Sequence, residues 1–112
     1  MGAIGTRRQK EFTRHIASRG TATTVNGYTI NALWQDAQLA RVQLFLNENE
    51  WGIASFEVRF PAAVIDTPYS IKAGMEVTRQ GLAWRGVIRD VTVEESNGVI
   101  TQVNCLVINT TL

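Results

Sequence analysis

The 112-residue sequence contains one cysteine, one histidine and two prolines. A lone Cys105 excludes an internal disulfide framework and a cysteine-rich zinc site. A lone His15 excludes metal pairs or dyads built from two imidazoles. No apolar run reaches the ~20 residues of a membrane-spanning helix, and the N-terminus lacks the apolar stretch of a secretory signal, so no membrane contact and a cytoplasmic origin are expected. Excess charge is missing too: 11 Lys+Arg against 10 Asp+Glu leave a formal net charge of +1, which gives no reason to expect a polyanion partner for the chain as a whole.

The charge that is present is unevenly placed. The first twenty residues hold Arg7, Arg8, Lys10, Arg14 and Arg19 against Glu11 alone, whereas the rest of the chain holds 6 bases and 9 acids. A basic arm on a mildly acidic body points to an acidic neighbour, protein or nucleic acid; the competing reading is a solvated helix face. With 45% hydrophobic residues, a chain of this length buries a core without covalent staples and forms one domain.

The opening segment predicts a helix over about Arg7 to Arg19. Thr6 and Gln9 have capping-box spacing, Phe12 and Ile16 lie four apart, and Gly20 offers a stop that tolerates positive φ. A stripe of two apolar residues is too narrow to hold a helix alone, so it must dock on the body or on another subunit. Residues 1–19 are thus read as a basic arm or helix, and residues 20–112 as a β domain.

After Gly20 the period changes to two. Thr21–Val25, the turn Asn26-Gly27 and the strand from Tyr28 through Trp34 predict a hairpin with Tyr28, Ile30, Ala32 and Trp34 on the core face. Ile53 to Phe60 alternates again, with Phe56, Val58 and Phe60 inward and Ser55, Glu57 and Arg59 outward. Residues 62–73 form a connection with room for a turn of helix. A second hairpin turns at Gln80-Gly81, and its long arm changes parity, which predicts a bulge near Gly86. Ser96-Asn97-Gly98 leads into a last strand over Val99 to Ile108, apolar on both faces at its end. Short strands and regular turns predict a mainly β fold: a small antiparallel β-barrel or sandwich with an N-terminal α-helix.

Residues 38–52 fit either a strand, through Val42, Leu44 and Leu46, or an excursion that orders only against a partner. Leu39, Leu44, Phe45, Leu46 and Trp51 are unusually apolar for a loop and are the candidate contacts with a neighbouring subunit or ring.

No catalytic constellation emerges. Cys105 shares a strand phase with Val103 and Val107 and reads as a small core residue. His15 has no carboxylate nearby in sequence to orient it, and Glu48/Glu50 and Glu94/Glu95 fall in polar turns. No phosphate loop, metal-ligand cluster or nucleophile elbow is present, so neither enzyme activity nor a cofactor or metal is expected. A single-strand nucleic-acid barrel of the OB type needs exposed aromatics beside cations, and only Trp51 reads as exposed.

The order of local motifs is more informative. It runs from Gly20-Thr21-Ala22-Thr23 through Ala32-Leu33-Trp34-Gln35-Asp36 and Phe56-Glu57-Val58-Arg59. It continues through Ile71 to Trp84, with Gly74 and Gly81 as its turns, and closes on Val87-Ile88-Arg89-Asp90-Val91. Over about Gly20 to Ile108 the chain resembles the head–tail joining proteins of long-tailed phages, also called head-completion, head-closure or stopper proteins, of the lambda type. The acid that follows the first hairpin glycine in that family stands here at Glu76, after Met75.

The resemblance implies a structural virion protein of the neck, made in the host cytoplasm. It implies a homo-oligomeric ring of about six or twelve copies that closes the DNA-filled head. It would have the portal or adaptor ring on one side and a tail terminator or tail tube on the other. The resemblance leaves non-specific contact with channel DNA open. A tail-terminator or tail-tube protein of the same virion shares many of these features and is the alternative within that class.

Overall fold

Six antiparallel strands close on themselves in a computed structural model of the chain, which describes residues 3–48, 54–82 and 85–110. In chain order the elements are α1 (Ala3–Arg19), β1 (Thr21–Val25), β2 (Tyr28–Asp36), α2 (Leu39–Phe45), β3 (Ser55–Pro61), a 3-10 turn (Ala62–Ile65), β4 (Glu76–Arg79), β5 (Gly86–Ser96) and β6 (Val99–Asn109). Around the barrel the order is β1-β2-β3-β6-β5-β4, and β4 returns to pair with β1. The fold is the mainly β barrel with an N-terminal helix that the alternation predicts.

Two turns work through the same backbone chemistry. Asn26 and Gly27 have φ of 52° and 82°, and Asn97 and Gly98 have 51° and 78°. Paired positive φ values give the type I′ twist that matches the flanking strands, and Asn-Gly adopts them at little steric cost. The first turn sets Thr23 opposite Ile30, and the second sets Ser96 opposite Val99.

The barrel interior is filled by Val25, Ala32, Val58, Phe60, Val77, Ile88, Val103, Cys105 and Val107, and Val64 of the 3-10 turn joins them. Phe60 is the largest of these fully buried side chains. Val58 and Phe60 face inward as expected, whereas Phe56 sits half-buried at the margin and Tyr28, expected on the core face, is 51% exposed beside the turn and meets Tyr69 edge-on. β6 is buried on both sides: Val103, Cys105 and Val107 face the interior, whereas Leu106 and Ile108 pack outside against Val42 and Leu46. That double burial explains the continuous apolar run at its end.

The parity change in β5 is present, but not near Gly86. Ile88 pairs with Val107 and Asp90 with Leu106, so Arg89 is the extra residue. A second irregularity lies on β6, where Glu94 pairs with Gln102 and Glu95 with Ile100, leaving Thr101 over; its hydroxyl donates to the Glu94 carbonyl at 3.2 Å. The extra Arg89 on β5 is what brings Val91 against the core.

Helix α1 begins at Ala3, four residues before the expected start, so Thr6 lies inside it and is not its cap. Gln9 instead donates Nε2 to the Ile100 carbonyl at 2.9 Å, tying the helix to β6. Ile16 is fully buried. Gly20 ends the helix without positive φ. Its lack of a side chain serves close approach, since a Cβ there would stand 2.6 Å from the Ile16 oxygen and 3.2 Å from the Ala32 nitrogen.

Candidate interaction surfaces

Residues 39–45 form neither a strand nor an irregular excursion but a helix, seven residues long. Val42 and Leu46 lie four apart, and both bury themselves on Leu106 and Ile108. A helix so short has little intrinsic stability and depends on its packing.

Its second attachment is ionic. Arg41 reaches down to β3 and β5: its Nε lies 2.9 Å from Glu57 Oε1, and its Nη2 donates to Asp90 Oδ2 at 3.2 Å. Gln35 Nε2 donates to the other Glu57 oxygen at 3.0 Å, and the Thr92 hydroxyl donates to Asp90 Oδ2 at 3.0 Å. Glu57 is outward-facing by its strand phase, as alternation predicts, yet α2 covers it and only 4% of it remains exposed. Alternation reports the side of the sheet and is silent about what lies on that side. The carboxylate is tolerable there because a guanidinium and an amide satisfy it.

Pinned in this way, α2 presents two large apolar side chains to solvent, Leu39 at 64% and Leu44 at 75% exposure. Among the predicted contact residues these two are free to meet a neighbour. Leu46 is not: at 5% exposure it belongs to the intrachain core, because its spacing from Val42 puts it on the docked face. The side chain of Phe45 and the whole of Trp51 lie outside the described residues.

The five cations expected on the N-terminal arm, Arg7, Arg8, Lys10, Arg14 and Arg19, are all exposed on α1. Arg8 donates to the Ser96 hydroxyl at 3.3 Å. The ion pairs among the described residues are Arg41–Glu57, Arg41–Asp90 and Arg85–Glu76, and none involves this helix.

At one end of the barrel, Trp34 donates its indole N–H to Thr23 Oγ1 at 2.8 Å, meets Phe56 edge-on at 5.4 Å and carries the Arg79 guanidinium over its ring at 4.7 Å. These contacts occupy the ring, so Trp34 does not offer a bare stacking platform. Trp84 lies outside the described residues.

Cys105 is fully buried, and desolvation, reinforced by the negative charge of Asp90, raises its thiol pKa from 9.0 to about 12. Only the thiolate is a nucleophile, so this thiol is inert at neutral pH. It should resist iodoacetamide at pH 8 in the native protein and react rapidly once guanidinium unfolds the chain; equal rates in both conditions would contradict its burial. The raised value also means that the folded state holds this proton more tightly than the unfolded one. The associated stability is present below pH 9 and falls as pH rises through 9 towards 12. His15 is exposed on α1, and no group of three or more His, Cys, Asp or Glu suited to a metal occurs among the described residues.

The fold thus defines a small closed antiparallel barrel with two helices packed on it. Comparison with models of known protein families, with curated proteins and with solved structures finds no match.

Proposed function

We propose that this chain is a structural protein of the phage neck, of the head–tail joining kind, which assembles as a ring at the vertex of a filled head and offers a docking surface to the tail. The observation that carries the reading is Leu39 and Leu44, exposed on a helix that is otherwise anchored by buried apolar and ionic contacts. Exposed leucines on a mobile loop would lose ordering entropy on binding; on a pinned helix that loss is already made. Two exposed leucines on separate sides of a fixed helix fit contacts with another subunit or a neighbouring ring, and a heterologous contact of this type closes into a ring when its rotation permits. The order of sequence motifs along the barrel supports the same class.

The test is the double variant Leu39→Ser/Leu44→Ser. Both side chains are exposed, so circular dichroism and thermal unfolding should match the wild type within about 0.5 kcal/mol. Filled heads supplied with the variant should remain tailless in electron micrographs, while wild-type protein restores joining. Normal joining by the folded variant would remove the proposed docking surface. Assembly of the protein with tail components alone, in the absence of heads, would move it to the tail-terminator position.

A further inference from the structure

The neck proposal uses α2 and leaves the opposite charge feature unexplained. Helix α1 docks through Gly5, Gln9, Phe12 and Ile16, spaced four, three and four residues apart, which is one stripe of an α-helix. Arg7 and Arg14 stand roughly half a turn from that stripe, with Lys10 beside them. They therefore point directly away from the barrel, and the two arginines are separated by about 10 Å along the helix axis.

Two properties of this outward face bear on its partner. Its cations outnumber its acid, Arg7, Lys10 and Arg14 against Glu11, and no ion pair among the described residues involves α1. Its exposed members are Arg7, Lys10, Glu11, Arg14 and Ser18, with no aromatic side chain among them, and Ile4, 55% exposed in the first turn, flanks one edge. Protein interfaces draw most of their binding energy from aromatic and arginine anchors seated in desolvated pockets and are depleted in lysine, so an open helix face without an aromatic side chain is a weaker surface for an acidic protein than for a polyanion. Arginine and lysine with short hydroxyl side chains are instead the groups that contact phosphate oxygens, arginine in bidentate geometry.

We infer that the outward face of α1 binds the phosphodiester backbone of double-stranded DNA without sequence preference, through Arg7, Lys10 and Arg14. Binding of this kind releases counterions, and three neutralised phosphates give a log–log salt slope of about −3. Affinity should fall about 40-fold between 50 and 200 mM salt.

The experiment is fluorescence anisotropy of a labelled DNA duplex of arbitrary sequence titrated with the full chain at several salt concentrations. The variant Arg7→Gln/Lys10→Gln/Arg14→Gln should keep the wild-type circular dichroism and thermal unfolding but bind at least tenfold more weakly. Lys72→Gln, which removes an exposed base from the connection before β4, should bind as the wild type does. Absence of DNA binding, binding indifferent to salt, or binding undiminished in the folded triple variant overturns the inference. Poly-glutamate bound as tightly as DNA also overturns it, in favour of an acidic protein partner. Failure here leaves the neck reading standing, because that reading is tested by the α2 leucines and does not use these cations.

Discussion

Replacing Arg41 with alanine is expected to lower the unfolding free energy by about 2 to 3 kcal/mol, at or below the low end of the cost of breaking a fully buried ion pair, because Glu57 is buried while the Arg41 and Asp90 side chains keep 21% and 23% exposure. Glu57 is 4% exposed and keeps only the Gln35 amide when the guanidinium is gone. Asp90 is left with Thr92. The penalty is mainly that of a carboxylate stranded beneath a helix, not the net worth of the pair. It follows that Arg41→Ala/Glu57→Gln should be more stable than Arg41→Ala alone, because the second change removes the stranded charge. Urea denaturation of the four proteins of that cycle measures both effects. Arg41→Lys should fall between wild type and alanine, since one ammonium cannot reproduce the fork that reaches two carboxylates on different strands. A loss below about 0.5 kcal/mol for Arg41→Ala would mean that the ion pairs do not hold α2 down.

The second large effect is a matter of sign. In an undocked helix, Gly5→Ala stabilises, because alanine exceeds glycine in helix propensity by about 1 kcal/mol. Here a Cβ on Gly5 would fall on the Ser96 carbonyl oxygen and within 2.8 Å of the Val99 Cβ. Neither is the free end of a flexible side chain, so the first turns of α1 must lift from the β5–β6 hairpin. Overpacking of this kind costs about 1 to 3 kcal/mol, more than propensity returns. Gly5→Ala should therefore lower the thermal midpoint, and Gly5→Val should lower it further. A raised midpoint for Gly5→Ala would show that α1 is not seated where the hairpin turns.

The legible parts of the fold were those set by local chemistry. Asn26-Gly27 and Asn97-Gly98 announce their turns through backbone preference, and Val58 and Phe60 their burial through period. The end of α1 at Gly20 was also readable, although the reason differs: close approach of the backbone, not positive φ. Helix α2 was not legible because Val42, Leu44 and Leu46 alternate as a strand would, while Val42 and Leu46 also stand four apart as in a helix. Over seven residues the two periods coincide, and only Leu106 and Ile108, some sixty residues on, decide between them.

The same gap hid the most consequential side chains. Glu57 reads as a solvent-facing position, Asp90 stands on a separate strand, and nothing local links either to Arg41. Their meeting depends on β3 and β5 both flanking β6 and on a helix lying across that face. Leu46 and Leu44 show the reverse difficulty: two leucines apart by two positions, one core and one exposed, are indistinguishable until the helix is placed.

The most direct measurement is electron cryomicroscopy of DNA-filled heads that lack this protein, before and after incubation with the purified chain. A neck protein of the joining kind should add a closed ring of barrels at a single vertex, with α2 of each copy at a contact between subunits or with the next ring. Heads that acquire no density at that vertex, under conditions where the added protein is folded, would contradict the proposed role.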